Sequence, residues 1–354
     1  MAWVLGLAAV LLLLGRLMRV SAGAQAAVLG ILALAVVAIH LALPSGHALR
    51  TATGGDLVNW GILAGLAALA GAYVLGLRVL RRRARSVPEA VSARPAGSFS
   101  EAELERYARH IVLREIGGPG QKRLKAAKVL VVGAGGLGSP ALLYLAAAGV
   151  GTIGVIDGDT VSLSNLQRQI IHTDDRIGMA KVFSAEAAMR AINPHVTVKP
   201  YKRELTDETA AGLVAEYDLV VEGTDSMAAR YLVNAACVAA GVPLLSAAIT
   251  QWEGQIGLYD PARGAPCYAC VFPLAPAAGL APSCAEAGVI GALPGVLGAM
   301  LALEAVKEIT GAGISLRGRL MIHDALHGEN RAMRVAPRAG CSVCGGRGAA
   351  VAAG

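Results

Sequence analysis

The sequence predicts an α/β protein, a mostly parallel sheet with helices on both faces, preceded by an α-helical transmembrane region. Three observations carry that expectation. The first 85 residues hold three apolar stretches and a single acid; apolar strand-like runs alternate with helical patterns from residue 101 onward; and a glycine-rich turn separates the first such strand from its helix. The chain has 354 residues, room for roughly two domains. With 55% apolar residues and a mean hydropathy of +0.55 it is not a disordered chain.

The apolar stretches run from Ala2 to Gly15, Ala24 to Leu43 and Leu57 to Leu77. The second and third have the ~20 residues that a hydrocarbon core of ~30 Å requires. Charge placement sets their orientation. The net charge of +7 resides in residues 1–85, which carry eight arginines against Asp56 alone, leaving 24 basic and 24 acidic residues in the rest. A basic excess beside apolar runs points to a membrane surface rather than to nucleic acid. Arg16 and Arg19 follow the first stretch, Arg50 lies between the second and third, and Arg78, Arg81, Arg82, Arg83 and Arg85 follow the third. By the positive-inside rule, three spans with the N-terminus outside place both outer arginine groups in the cytoplasm. Two spans plus a peripheral first segment also leave the large domain cytoplasmic. Cleavage after Ala24 as a signal peptide would put five arginines outside, against that rule. The expectation is a multi-pass inner-membrane protein with its large domain in the cytoplasm. His40, near a span end, reads as interfacial.

Pro88 to Ser100 is small, polar and proline-containing, the composition of a linker. Helical spacing begins over Leu104 to Leu113. Lys128 to Val132 reads as a buried strand, Gly135 to Ala148 as a helix and Thr152 to Ile156 as a second strand ending at Asp157. Further helices are expected near Arg176 to Ile192, Thr206 to Ala215 and Met227 to Ala240, with strands at Leu219 to Val221 and Leu244 to Ala248. Ala287 to Leu303 is apolar, but it is short, contains Pro294 and runs into Glu304, Lys307 and Glu308, so a buried core helix is expected.

Gly133-Ala134-Gly135-Gly136-Leu137-Gly138 forms a GxGxxG between the first strand and its helix, which makes the expected fold Rossmann-like. Such glycines permit a tight turn and bring backbone N–H groups and a helix N-terminus to phosphate oxygens. Asp157 is placed to accept from a ribose. This motif alone suits NAD as well as ATP, and a membrane-bound NAD(P)-dependent oxidoreductase is the alternative reading. The polar run from Asp159 to Gln169, with Arg168, Lys181 and the Asp225 that follows a strand, favours a triphosphate with Mg²⁺ over a nicotinamide, which needs a hydride path.

At these residues the sequence resembles the HesA/MoeB/ThiF family, bacterial relatives of the ubiquitin-activating enzymes. The likeness covers about Phe99 to Gly348. It rests on RYARHIVL at Arg106 to Leu113, GAGGLGSP at Gly133 to Pro140, SNLQRQ at Ser164 to Gln169, INPH at Ile192 to His195, EGQI at Glu253 to Ile256, CYAC at Cys267 to Cys270, CAEAGV at Cys284 to Val289 and CSVC at Cys341 to Cys344. Within the family it is most similar to the molybdopterin-synthase adenylyltransferases.

The resemblance implies an enzyme that adenylates the C-terminal Gly-Gly carboxylate of a small ubiquitin-like sulfur carrier of the MoaD or ThiS type. Such chemistry serves molybdopterin, thiamine or another thio-cofactor. The resemblance further implies a nucleotide site at Gly133, Gly135, Gly136, Gly138, Asp157 and Asp159, continuing through Ser164, Asn165, Leu166, Gln167 and Arg168 to Lys181, Asp225 and Ser226. In it Lys181 neutralises the α-phosphate and Asp225 binds or orients Mg²⁺. Arg109 is implied to cross from the partner subunit of a homodimer. The family's usual Thr-Asp-Asn reads Thr224-Asp225-Ser226 here, and the membrane segment is absent from typical members. The expected organisation is a transmembrane region at 1–85, a linker at 86–100, the adenylyltransferase-type domain at 101–348 and a tail at 349–354.

Six cysteines are too few for a disulfide scaffold, and four form two CxxC pairs, Cys267/Cys270 and Cys341/Cys344. Four thiolates make a closed tetrahedral Zn²⁺ site. A redox dithiol would sit at a helix N-terminus, whereas both pairs lie in Gly/Pro-rich loops. Cys237, in an apolar helix, reads as core. Cys284 follows a Pro/Ala/Gly-rich stretch and precedes an apparent helix; it is expected either to act chemically on the acyl-adenylate or to pack in the loop. His172 and His195 have no partner at ligand spacing and are expected to be structural.

Overall fold

A computed structural model describes residues 2–18, 20–54, 57–85, 98–274 and 287–345. The chain divides into two compact units, Met1–Arg94 and Pro95–Gly354.

The first unit contains helices α1 (Ala2–Leu17), α2 (Ala22–Ala42), α3 (Ala48–Ala52) and α4 (Leu57–Arg85). Two segments, Gly23–Ala42 and Val58–Leu77, are long and apolar enough to cross a membrane by length and composition. Their side chains do not form a soluble core: Leu34 and Leu69 are 70% and 73% exposed. Helix α1, at 16 residues, spans only about 24 Å. The turn between α2 and α4 is tied by side chains that satisfy helix-end carbonyls. Arg50 Nη1 donates to Leu43 O at 3.0 Å and Trp60 Nε1 to Thr53 O at 3.0 Å. His40, expected at an interface, is buried, and its Nδ1 donates to Val36 O at 2.9 Å.

The second unit is an eight-stranded sheet in the order β3-β2-β1-β4-β5-β6-β7-β8. The strands are β1 (Lys128–Val132), β2 (Thr152–Ile156), β3 (Thr197–Tyr201), β4 (Leu219–Glu222), β5 (Leu244–Ile249), β6 (Glu253–Tyr259), β7 (Arg319–Asp324) and β8 (Glu329–Arg334). β3 through β5 pair in parallel, and β6, β7 and β8 add antiparallel. Helices cover both faces: α5 (Glu101–Ile111), α6 (Gly117–Ala126), α7 (Gly138–Ala148), α8 (Lys181–Ile192), α9 (Asp207–Val214), α10 (Met227–Ala240), the short α11 (Tyr268–Val271) and α12 (Ala292–Thr310).

Period-two alternation in the strands divides the core. Val129, Val131, Ile153, Val155, Leu219 and Val221 pack with α6, α7, α8 and α12, while Leu130, Val132, Ile156 and Val220 pack with α9 and α10. Both faces of the central strands are therefore apolar, which is why they read as continuous runs. Strand order reverses between β1 and β4, and this opens a crevice at their carboxyl ends.

Several boundaries differ from the sequence reading for local reasons. Helix α7 starts at Gly138, not Gly135, because 135–137 form the turn. Helix α8 starts at Lys181: a 3₁₀ turn at Asp174–Arg176 and Gly178 at φ +85° intervene. Pro294 falls in the first turn of α12, where no backbone donor is needed. Among the strands that sequence missed, β8 is exposed at every position and edge strand β3 contains Pro200, while β6 is largely buried but interrupted by Gly254 and Gly257. Asn193 of the INPH motif is buried and structural, its Nδ2 donating to Tyr107 Oη at 2.8 Å and Ala146 O at 2.7 Å.

Candidate functional site

The crevice between β1 and β4 begins with the glycine turn. Gly133 adopts φ +96°, and a Cβ on Gly138 would lie 1.9 Å from Gly133 O, so the first turn of α7 abuts the end of β1. Gly135 is different. Its φ is not positive, and a Cβ there would meet only Gln169 Nε2 at 3.8 Å. Packing requires Gly138, whereas Gly135 leaves its backbone open to the cavity.

Two buried or half-buried polar groups hold this turn. Asp157, at the end of β2, accepts from Ala134 N through Oδ2 and from Asp159 N through Oδ1, both at 2.8 Å. His172 is buried, with Nε2 3.0 Å from Ala134 O and Nδ1 2.9 Å from Ser184 Oγ. A carbonyl only accepts, so Nε2 carries the proton and Nδ1 accepts from the serine. Burial pushes this imidazole below its ordinary pKa and keeps it neutral. The structural reading of His172 fits these bonds. His195 is exposed and only its backbone N–H bonds to Asn193 Oδ1.

A cavity of about 750 Å³ lies above the turn. It brings together Gly133, Gly135, Gly136, Asp157, Asp159, Arg168, Lys181, Asp225 and Ser226. Lys181 is 6% exposed and its Nζ lies 2.7 Å from Asp159 Oδ2. Asp225 is exposed to the cavity and no described residue bonds its carboxylate. Gly138 lies behind the turn, in α7. Ser164, Asn165, Leu166 and Gln167 are not in the lining: Leu163–Asn165 form a 3₁₀ turn in which Asn165 Oδ1 accepts from Ser162 N, and Arg168 Nη1 donates to Ser164 O. Arg109 is exposed on α5, away from this lining. Cys284 lies outside the described residues.

The sequence reading missed a buried ion pair beneath Asp225. Glu222 Oε2 lies 3.2 Å from Arg230 Nε, and both side chains are at most 5% exposed. Glu222 Oε1 accepts from Thr224 N and Thr224 Oγ1 at 2.7 Å, and Oε2 accepts from Ser246 Oγ at 2.5 Å. Arg230 Nη2 donates to Thr224 O at 2.8 Å and Ala247 O at 3.1 Å. Burial opposes the guanidinium's charge, and Glu222 restores it. The pair fixes the Thr224-Asp225 turn. The only signal for it in the sequence is an acid closing an apolar run.

The two CxxC segments converge. Cys267, Cys270, Cys341 and Cys344 are buried, and their Sγ atoms lie within 4.8 Å of one another. Three of the separations are 3.7, 3.6 and 3.4 Å. All exceed a disulfide bond, and they are near the edge of about 3.8 Å that a tetrahedron with Zn–S bonds of ~2.3 Å requires. Burial pushes the Cys267 and Cys270 thiols up, a penalty that a bound cation offsets. The donor set fits Zn²⁺ in a closed structural site. Cys237 is buried in α10, its thiol raised by burial, and belongs to the core. Tyr268, between the first two cysteines, lines the nucleotide-sized cavity and packs 5.8 Å from the Arg230 guanidinium.

A glycine turn at the switch point of a parallel sheet, with cations and carboxylates around it and a four-thiol cluster able to hold a metal alongside, defines a nucleotide-binding α/β protein. The chain belongs to the ThiF family, whose profile matches residues 107–343. It is 50% identical over 265 residues to the adenylyltransferase and sulfurtransferase MOCS3 of Bos taurus, covering 75% of this chain and 58% of that protein. It is 45% identical over 251 residues to the sulfur carrier protein adenylyltransferase of Thermus thermophilus, covering 70% of this chain and 93% of the relative. The crystal structure of E. coli MccB with ATP superposes with a TM-score of 0.59 at 25% identity, covering 68% of this chain and 74% of that one. The chain thus spans just over half the length of the MOCS3 relative.

Gly138→Ala should destabilise the second unit by about 3 kcal/mol or more, because the turn must move to admit the methyl group. Gly135→Ala should keep its stability within about 0.5 kcal/mol and lose roughly tenfold or more in ATP affinity. Denaturant titration and equilibrium dialysis measure the two effects. Equal behaviour of the variants would refute the division of labour.

The protein should carry one Zn²⁺ per chain. Structural zinc contributes on the order of 10 kcal/mol to folding in small metal modules, so Cys341→Ser should lower both zinc content and melting temperature. An unchanged melting curve, or no zinc by elemental analysis, would count against the site.

Proposed function

We propose that this protein uses ATP to adenylate the C-terminal Gly-Gly carboxylate of a small ubiquitin-like sulfur carrier, for molybdopterin, thiamine or other thio-cofactor synthesis. The observation that carries the proposal is the convergence of the glycine turn with Lys181, Arg168 and Asp225 in one cavity at the strand ends. In the reaction a carboxylate oxygen attacks the α-phosphorus, the bond to pyrophosphate breaks, and an acyl-adenylate forms. Both reactants are anions, so charge neutralisation and positioning carry the catalysis.

Each residue has a role suited to its position. The N–H groups of the glycine turn and the start of α7 receive phosphate oxygens. The Asp157 oxygens each accept one backbone amide, which leaves acceptor capacity for ribose hydroxyls. Lys181 exchanges Asp159 for the α-phosphate. Asp225, held by the Glu222–Arg230 pair, would hold Mg²⁺, which supplies charge to the phosphates. Arg168, in the cavity wall, reaches toward the phosphates. Arg109 acts across a homodimer, in the partner's site, which agrees with its exposure on α5.

Carrier-dependent ATP–pyrophosphate exchange tests this. Lys181→Ala, Asp225→Ala and Arg109→Ala should each lose about a hundredfold or more, or roughly 3 kcal/mol of transition-state stabilisation. Cys284→Ala should retain exchange, since a thiol acts only after the adenylate exists. Mixed dimers of Arg109→Ala with Asp225→Ala should recover part of the activity, one site regaining both groups. No recovery would place Arg109 in its own subunit's site, and no exchange by the wild-type protein with any Gly-Gly carrier would end the proposal.

We also propose that residues 1–85 anchor the protein in the inner membrane by multiple passes, with the catalytic unit in the cytoplasm. The support is the length of Gly23–Ala42 and Val58–Leu77 together with the arginine asymmetry. Whether α1 crosses or lies at the surface, the asymmetry gives the same side for the catalytic unit. A reporter active only in the periplasm, fused after Gly354, should give no signal; activity would reverse the topology.

A further inference from the structure

Gln169 is 4% exposed and belongs to the cavity wall with Gly135, Gly136, Arg168 and Lys181. Its backbone is pinned: its N–H donates to Asn165 O at 2.9 Å and its carbonyl accepts from His172 N at 3.1 Å. Its side chain is not. Oε1 is fully buried with no hydrogen-bond partner, and no described residue bonds Nε2. More than nine in ten buried polar groups in folded proteins are bonded, and an unmet one costs about 1–3 kcal/mol. A side chain kept only for packing would be better served here by Leu or Met, which fill similar space without that cost. Nε2 is also the atom nearest to the open side of Gly135, 3.8 Å from where its Cβ would be. A ligand seated on the Gly135 backbone therefore meets the Gln169 carboxamide.

We propose that Gln169 is a nucleotide-binding residue whose carboxamide donates from Nε2 to an oxygen of the phosphate group seated on Gly135. The inference rests on the reading of this cavity as an ATP site. A neutral amide is suited to this place. Lys181 and Arg168 already supply positive charge, and the amide adds a directional donor that fixes one phosphate oxygen without adding another cation to repel them. The unmet atom of the free protein is Oε1, whereas Nε2 is not among the fully buried unbonded atoms and lies toward Gly135, so the donor is held on the ligand's side with no described protein partner to exchange for it.

The test uses the full chain and two probes, ATP and adenosine, with Gln169→Met as the variant. Removing an unbonded buried amide should leave the melting temperature of the free protein equal or higher. ATP affinity should fall about tenfold or more, as for loss of a hydrogen bond to a charged group, while adenosine affinity stays within about twofold. A merely structural residue would change both affinities together or neither. ATP binding by Gln169→Met equal to that of the wild type would overturn the assignment and leave the ATP site standing. Failure of the wild type to bind ATP would instead overturn the site itself. If Gln169→Met does not fold, Gln169→Ala is judged by the same ATP-to-adenosine ratio. Loss of fold in both variants also overturns the assignment, because an unbonded side chain cannot then be reserved for a ligand.

Discussion

A Cβ on Gly138 would stand 1.9 Å from the Gly133 carbonyl oxygen, so α7 begins against the end of β1 with no space for a side chain between them. That contact sets where the helix N-terminus and the open backbone of Gly135 point. Other elements close on the same place. A Cβ on Gly298 of α12 would lie 2.3 Å from Leu137 O, and one on Gly223 would lie 2.8 Å from Leu137 Cβ. The turn is clamped from β4 and from α12 at once, and a cavity rim built this way is rigid before any ligand arrives.

Polar groups then fix what the close packing leaves free. Asp157 bonds two backbone amides, neutral His172 joins the Ala134 carbonyl to Ser184, and the Glu222–Arg230 pair holds Thr224. Buried charges are costly unless paired and fully bonded, and here both members of the ion pair meet backbone or hydroxyl partners. Gln169 Oε1 is one of a few buried polar atoms without a hydrogen-bond partner, with Ser139 Oγ, Arg230 Nε and Asn234 Nδ2 in the same unit, and Lys181 has one exposed partner, Asp159. Of those with an unbonded atom, Gln169 and Arg230 line the cavity.

The thiol cluster belongs to the same construction. Tyr268 sits between two of the cysteines, its N–H donates to Asn234 Oδ1 at 2.8 Å, and its ring lies among Tyr231, Tyr259 and Phe272 while lining the cavity. The four-thiol cluster therefore supports one wall of the cavity as well as closing the chain between α11 and residues 341–344. A structural metal is effective where two loops with little apolar surface must meet.

Sequence by itself determined the βαβ unit, because the buried strands β1, β2 and β4 read as apolar runs and the glycine turn lies between the first of them and its helix. It also determined the cysteine pairs and most of the cavity's charged residues, since side-chain type and short spacing suffice for these. The antiparallel strands β6, β7 and β8 were not legible: β8 is exposed throughout, and β6, although largely buried, is broken by Gly254 and Gly257 and shows no continuous apolar run. Nor was the division within Ser164 to Gln169, where Arg168 and Gln169 enter the cavity wall and the preceding residues turn away in a 3₁₀ turn. The Glu222–Arg230 pair and the unbonded Gln169 amide were decided only by tertiary structure. Whether a buried polar group is bonded or left open depends on atoms brought from distant strands, and no local pattern carries that information.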